Sequence, residues 1–452
     1  MSRSIESLRE GCARAARIAA PVLVLAGAWG GITPALAAPL ALVGGTVHTV
    51  SGPTFANGTV LIDQGRITAV GPEVKLPPGT TVISVSGRHV YPGLISANTV
   101  LGLTEIESVA GTNDFAETGD VNPNVRAEVE INPSSELIPT ARVNGVTSAL
   151  VIPQGGAISG TSALIHLDGW TWEDMTLRAP VALHVNWPNM TPVHAWFIQQ
   201  SDEEQKKARD QAIDKIRRSF DDARAYWTAR DAEGGAGIPR HDQDVKWDAM
   251  GKALRGAIPV AFRANALNQI RAALKFADEE KLPRVILVGG ADAWRIPDEL
   301  RSRGISVIAD GLLGMPRRRS DPYDENFDLP AKLAAVGIPY CISDGGSAFG
   351  AANARNLACH AAMAAAFGLA RAEALKSVTL YPAQILGVSD RLGSIEPGKI
   401  ADLIVTDGDP LEITTRVEQV YLGGRAIPME SRHTRLFHQY DARPRGEKAR
   451  VR

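Results

Sequence analysis

The chain has 452 residues, 44% of them hydrophobic and 22% charged, and a formal net charge of −2. That apolar content is enough for one large core and a smaller second one. A balance so near neutrality excludes the basic footprint of nucleic-acid or membrane-surface binding, and the one short basic run, Arg317 to Arg319, reads as a solvated loop.

The first 37 residues have the form of an export signal. Arg3, Arg9, Arg14 and Arg17 make a basic leader, Ile18 to Ile32 an apolar run, and Ala35-Leu36-Ala37 a small-residue cleavage site. Cleavage after Ala37 would remove four Arg and two Glu and leave a net charge of −4. An uncleaved anchor is disfavoured because the apolar run falls short of the ~20 residues that span a bilayer. No Cys follows the run and no adjacent Arg pair precedes it, which argues against lipoprotein processing and twin-arginine export. The expectation is a periplasmic or secreted bacterial protein, free of the membrane once the signal is cleaved. Cys12 leaves with the signal; Cys341 lies in the apolar strand Ile338 to Ser343, as a buried thiol would, and whether it pairs with Cys359 stays open.

From residue 40 the pattern is that of short strands joined by turns. Leu40–Val50, Gly58–Asp63, Arg66–Gly71 and Thr80–Val85 alternate or run apolar, and Ala401–Gly408 and Glu418–Ile427 repeat the texture at the far end. Pairing the two sets protects both open edges, so residues 38–88 and 391–430 are expected to form one composite β-sandwich. Between them, over residues 89–390, apolar strands alternate with amphipathic helices, the pattern of a parallel α/β barrel. Seven strands are visible, at 89–95, 146–152, 181–185, 259–264, 284–289, 305–310 and 339–343, and an eighth is expected between His184 and Lys246. That interval also holds a charged stretch, Ser201 to Glu233, in which Ile213, Ile216, Phe220, Ala223 and Trp227 recur at helical spacing; it reads as an inserted helix laid against the barrel. Residues 431–452 read as a polar tail.

Thr379 to Pro410, TLYPAQILGVSDRLGSIEPGKIADLIVTDGDP, resembles the C-terminal signature of the imidazolonepropionase-like branch of the amidohydrolase superfamily. Gly145–Pro153, Ala253–Leu274 and Arg284–Leu300 are similar to further units of the same branch, so the resemblance extends from about Leu40 to Ile427. It implies an α/β fold, a (β/α)8 TIM-like barrel beside the composite sandwich, and a hydrolase of non-peptide C–N bonds whose active site sits at the C-terminal ends of the strands. It also implies a divalent metal, usually zinc, held by histidines.

At those strand ends this chain departs from the family. Asn98 and Val100 stand where the family carries HxH, Arg263 and Asn265 where it carries HAH, and Gly289 where it carries a further His; Asp344 alone matches the family's aspartate. An Asn amide is a poor zinc donor and Val offers none, so the expectation is no metal and no other cofactor. Asp344 is then the candidate acid or base, with Arg263, Asn98 and Asn265 placed to polarise a carbonyl and Gly289 and His184 to line the substrate. Arg263 is expected to take the electrostatic place of the ion by reaching Asp344 or a neighbouring carboxylate; the alternative has it pointing outward with its stem on a helix.

His184 and His194 are the one pair that could relocate a metal site, while His360 reads as a packing or helix-surface residue and His48, His89, His166, His433 and His438 lie away from the site. Gln154 to Ile165 is glycine-rich but opens into a strand, as a turn at the pocket mouth would, whereas Asp344 to Asn356 opens into a helix. Two functions remain: an exported hydrolase of a cyclic amide or small peptide-like molecule, and a non-catalytic relative that binds a small molecule or pairs with an active, histidine-bearing paralogue. The partners expected are a small-molecule ligand and, in an oligomer, a second copy or such a paralogue, with no nucleic acid.

Overall fold

The computed structural model describes residues 38–235 and 237–443. The expected export signal, residues 1–37, lies outside the described residues, as does the chain after Arg443. Among the described residues no helix is long and apolar enough to cross a membrane.

The chain opens with five strands, β1 (Leu40–His48), β2 (Thr54–Asp63), β3 (Arg66–Gly71), β4 (Thr81–Ser84) and β5 (His89–Pro92). Positive φ at Gln64 and Gly65 (49° and 77°) supplies the tight reversal between β2 and β3 that an antiparallel pair needs. The chain then continues through β6 (Leu94–Thr99), β7 (Val146–Val151), β8 (Ile158–Thr161), β9 (Ala163–His166), β10 (Thr176–Arg178), β11 (Leu183–Asn186), β12 (Val260–Ala264), β13 (Val285–Gly289), β14 (Ser306–Ala309) and β15 (Tyr340–Ile342). It ends with β16 (Leu403–Thr406), β17 (Val417–Leu422) and β18 (Arg425–Ile427), and a helix, Arg432–Asp441, capped by Ser431, occupies the described part of what reads in sequence as a polar tail.

Strands from both ends of the described residues share one sheet, ordered β18-β17-β16-β5-β1-β2-β3 with β4 also on β1. The joint is β16 running antiparallel to β5, Val405 opposite Val90. Two stacked sheets, as expected for a sandwich, are replaced by one sheet that curls. Its β3 edge returns to the C-terminal segment through Ile67 N–H to the Lys399 carbonyl (2.9 Å) and Gly398 N–H to the Ile67 carbonyl (2.8 Å). The curl encloses a core to which Leu42, Val60 and Ile67 contribute from one end of the sequence and Ile395, Leu403 and Tyr421 from the other. A strand edge has unpaired N–H and C=O groups, and closing on the chain's own tail satisfies them.

The middle region carries seven strands in parallel ladders: β6 with β7, and β11 through β15 in sequence order. The eighth lies elsewhere than expected. Among the described residues no strand falls between Asn186 and Val260; that interval holds helices Asp202–Ala232 and Val245–Leu254. The bridging strand is β8–β9, which runs antiparallel to β11 along β8 and antiparallel to β7 along β9. Geometry requires this. A parallel neighbour needs a crossover of a dozen or more residues, and only residues 152–157 separate β7 from β8, with Gly155 and Gly156 at φ 81° and 62° turning the chain straight back. Among the described residues no backbone ladder joins β15 to β6; side-chain bonds span the gap, Ser343 donating to the Asn98 carbonyl (3.0 Å) and Ser96 to the Asp344 carboxylate.

Strand alternation sorts the side chains. In register across β11 to β15, Ala261, Ile286, Val288, Ile308 and Cys341 form a compact apolar cluster on the face that also carries His184 and Arg263. Phe262 points to the other face, where it meets Phe276 of helix Leu267–Glu279, which in turn packs edge-on against Phe220 of the long helix Asp202–Ala232. That helix starts at a capping box, Ser201 with Glu204, and buries Ile216, Phe220 and Ala223 while Ile213 and Trp227 are partly covered, so the stripe read in sequence is core. Cys341 is buried and Cys359 partly so, and both are free.

Candidate active site

A cavity of about 610 Å³ opens at the C-terminal ends of β7, β11, β12, β14 and β15. Each strand delivers its last side chain or two there: His184 and Asn186 from β11, Arg263 from β12, Asp310 from just after β14 and Asp344 from just after β15, with Gln154 and Gly155 at the turn after β7. His360, on helix Leu357–Ala366, lines it as well.

Two carboxylates with opposite fortunes sit in this cavity. Asp310 is neutralised: its Oδ2 accepts from Arg263 Nη1 (3.2 Å) and from Asn98 Nδ2 (2.9 Å), and Asn98 Oδ1 accepts from Arg263 Nη2 (3.3 Å), closing a three-way contact. Gly346 lets this triangle form. A Cβ there would lie 2.8 Å from Asn98 Oδ1 and 3.0 Å from Arg263 Nη2. Asp344 is only 8% exposed and faces no cation; Oδ1 accepts from Ser96, while Oδ2 is buried without a hydrogen-bond partner. Burial disfavours its charged form and pushes its pKa up to about 7; the bonds from Ser96 and Ser343 oppose this and the charge of Asp310 adds to it.

The histidines are desolvated too. Burial, reinforced by the Arg263 charge, drives His184 down to about 3, and burial drives His360 down to about 4, so both are neutral at ordinary pH. His184 Nε2 and His360 Nδ1 are buried and unpartnered, like Asp344 Oδ2. Three such atoms around one cavity mark a place built to receive polar groups.

The structure therefore brings Asp344, Arg263, His184 and Asn98 together and sets two other expected residues aside. Asn98 is 1% exposed and spends its amide on Arg263 and Asp310, so it positions the cation rather than facing the cavity. Neither Asn265 nor Gly289 lines the cavity. Gly289 holds a positive φ of 94°, and a Cβ there would lie 2.4 Å from Asn265 Oδ1; the Asn side chain fills the space a larger residue at 289 would need. His194 is exposed beside Asp202 at 3.6 Å and is not among the cavity-lining residues. Asp310 and His360 were missed in the sequence. Asp310 closes the strand run ISVIAD, a signal the strand-end rule provides; His360 lies in an Ala-rich helix and carries none.

A profile of the Amidohydrolase family matches residues 338–427, which contain β15 to β18 and the Asp344 strand end. The amidohydrolase tasK of Hapsidospora irregularis is 25% identical over 413 residues, 82% of this chain, and the chain spans 40% of that protein's length. The imidazolonepropionase of Sphingopyxis alaskensis is 48% identical over 52 residues, 11% of this chain and 13% of that protein. The crystal structure of an amidohydrolase from Thermotoga maritima MSB8 superposes with a TM-score of 0.75 at 24% identity, covering 86% of this chain and 99% of that one, which establishes a shared fold. The chain belongs to the amidohydrolase superfamily.

Whether this amidohydrolase-family protein fits the divalent metal its family implies is a question of donors. A catalytic ion needs three protein ligands in the common zinc sites. At the positions where the sequence resemblance implies the family's histidines stand Asn98, Val100, Arg263, Asn265 and Gly289, and among the described residues no three His, Cys, Asp or Glu side chains come together to hold an ion. The Arg263 guanidinium already satisfies Asp310 and would repel a second cation. The residues present do not fit the metal.

Proposed function

We propose that this chain is an exported, periplasmic or secreted hydrolase that cleaves a C–N bond of a small cyclic amide or peptide-like molecule without the family's metal, in the mouth of a closed (β/α)8-type barrel whose one reversed strand is β8–β9. The observation that carries the reading is Asp344: a carboxyl group poised near neutral pH, with an unpartnered oxygen, in a cavity of about 610 Å³ that also holds a cation. A general base works best with its pKa near the working pH, and perturbed groups in clefts are where catalysis concentrates. Asp344 takes a proton from water as the water oxygen bonds to the amide carbon and the C=O π pair moves to oxygen. Collapse re-forms the carbonyl and breaks the C–N bond, and Asp344 returns its proton to the departing nitrogen. Of the five N–H groups of Arg263 the bonds to Asp310 and Asn98 engage two, leaving others for the carbonyl oxygen.

One observation favours a second reading, a non-catalytic binder or partner of a histidine-bearing paralogue. Arg263 and Asp310 occupy the strand ends where the family's ion would activate water, and a neutralised pair does not lower the pKa of water as zinc does. One experiment separates the two. Chelator-treated full-length protein is assayed against a panel of lactams and N-acyl amides, alongside Asp344→Asn. Chelator-resistant turnover lost in the variant supports the hydrolase; turnover equal in both, or absent from the wild type, rejects it in favour of the binder.

A further inference from the structure

The cavity has two kinds of wall. Its inner end is polar, lined by the nearly buried Asp344, His184 and His360, each of which carries one of the unpartnered atoms described above. Its outer wall is apolar: Leu313, on the loop after β14, and Phe349, in the short helix Ala348–Ala352 after β15, both line it and stand 43% and 72% exposed. A large aromatic left that open at the lip of a cavity gains cover when an apolar group enters beside it.

Charge is balanced as well. Among the described residues Arg263 is the only Arg or Lys lining the cavity and is held by Asp310, so none of them offers a free cation to a carboxylate. Arg317 feels the charges of both Asp310 and Asp292 but does not line the cavity. Both lining histidines are neutral, and an ionised Asp344 would repel an anion placed against it. A free dipeptide brings a carboxylate that would enter without a partner, and burying an unpaired charge is costly.

We propose that the substrate is an uncharged amide carrying an apolar or aromatic substituent, its amide at the Asp344 end and its substituent against Phe349 and Leu313. The inference rests on the cavity being the active site. Within it, Phe349 and Leu313 determine specificity without touching the reacting atoms, the amide carbonyl lies at Arg263 and the amide N–H meets the polar atoms that have no protein partner. A zwitterionic substrate is rejected by the absence of a counter-charge rather than by size.

The test is direct binding to the full chain by titration calorimetry, with acetamide, N-phenylacetamide and glycylproline as probes, in the wild type, Phe349→Ala and Leu313→Ala. N-phenylacetamide is expected to bind at least about tenfold more tightly than acetamide, as burial of a phenyl ring allows. Each variant should lose several-fold of that advantage while leaving acetamide unchanged, and glycylproline should bind no better than acetamide. Both side chains are exposed, so the variants should fold, and unchanged melting temperatures check this. The proposal is overturned if glycylproline binds as well as the anilide, if neither variant weakens the anilide, or if the anilide does not bind. Aniline release is read separately: tight binding without release defeats the hydrolase reading and leaves the specificity standing, whereas turnover that prefers the dipeptide does the reverse.

Discussion

Two places in this molecule bury a histidine near an aspartate, and they differ in whether the two meet. Where the middle region joins the curled sheet, His166 at the end of β9 binds Asp402 Oδ2 at 2.6 Å, and Asp402 Oδ1 accepts from Gly423 N–H at 2.9 Å. Burial alone would lower the His166 pKa, but the charge and hydrogen bond of Asp402 outweigh it and the pKa is raised. In the cavity, His184, His360 and Asp344 each keep a bare polar atom and each is pushed toward its neutral form. Satisfied, such groups tie two parts of a chain together; unsatisfied around an open space, they await a ligand. The first arrangement is mortar and the second is the proposed site, although the residue types are the same.

The contrast breaks most readily at Asp344. Asp344→Asn is expected to lower hydrolysis by about 10²- to 10⁴-fold, the usual worth of a general acid–base group. The wild-type rate should rise with pH through about 7, where Asp344 becomes ionised. Its folded-state pKa lies above the unfolded value, so the stability it contributes is complete below about 4 and is lost as pH rises through about 7. The variant should therefore match wild type near pH 4 and exceed it above pH 7, on the order of 3 kcal/mol, read by urea unfolding at the two pH values. A variant no more stable at pH 8 would mean that Asp344 is not held unpaired.

Asp402→Ala should act the other way. It strands His166 and the Gly423 N–H, and breaking a buried pair from one side costs about 3 kcal/mol. With the anilide as probe, binding per folded molecule should not change, because neither His166 nor Asp402 lines the cavity. Because the His166 pKa is raised, the pair's contribution is complete below the unfolded histidine value and lost as pH rises through the folded one, so the gap between wild type and variant should narrow at alkaline pH. A gap constant from pH 6 to 10 would show that charge plays no part in this joint.

Arg263 tests the middle ground, a pair that is satisfied yet lies inside the site. Arg263→Met leaves Asp310 and Asn98 short of a donor; with the side chain 34% exposed, the expected cost is about 1–2 kcal/mol. Removing Asp310 as well should return part of it, and a double-mutant cycle with no coupling would remove this pair from the account.

How much of this was legible beforehand follows from which interactions are local. The seven parallel-strand candidates and the long helix could be read because period-2 runs and a helical stripe are local patterns, and Asp344 and Arg263 could be placed because strand ends converge. The reversed β8–β9 strand was hidden by its own alternation, which does not encode direction; only the short Gly155-Gly156 turn does. Asn98 was read as facing substrate because sequence does not show that Arg263 and Asp310, 165 and 212 residues away, would claim its amide. Gly289 looked like a lost ligand, and its meaning depends on where the Asn265 side chain settles.

His360 supplies the finest test, since nothing in the sequence distinguished it from packing. It is 6% exposed, Nδ1 has no partner, and burial holds its pKa down at about 4. A folded-state pKa below the unfolded one gives stability that is complete above about 6.5 and lost as pH falls toward about 4, because the unfolded chain takes up the proton first. Replacing the imidazole by the apolar side chain of His360→Leu removes both that proton and the bare nitrogen. The variant should lose less stability than wild type between pH 8 and pH 5, by about 1–2 kcal/mol, measured by urea unfolding at each pH. Because the same nitrogen is proposed to meet the substrate amide, the variant should also bind N-phenylacetamide several-fold more weakly at pH 8. A histidine that only packs would give the acid effect and no binding loss; one that serves the cavity gives both, and that pairing of readouts separates mortar from site at a single residue.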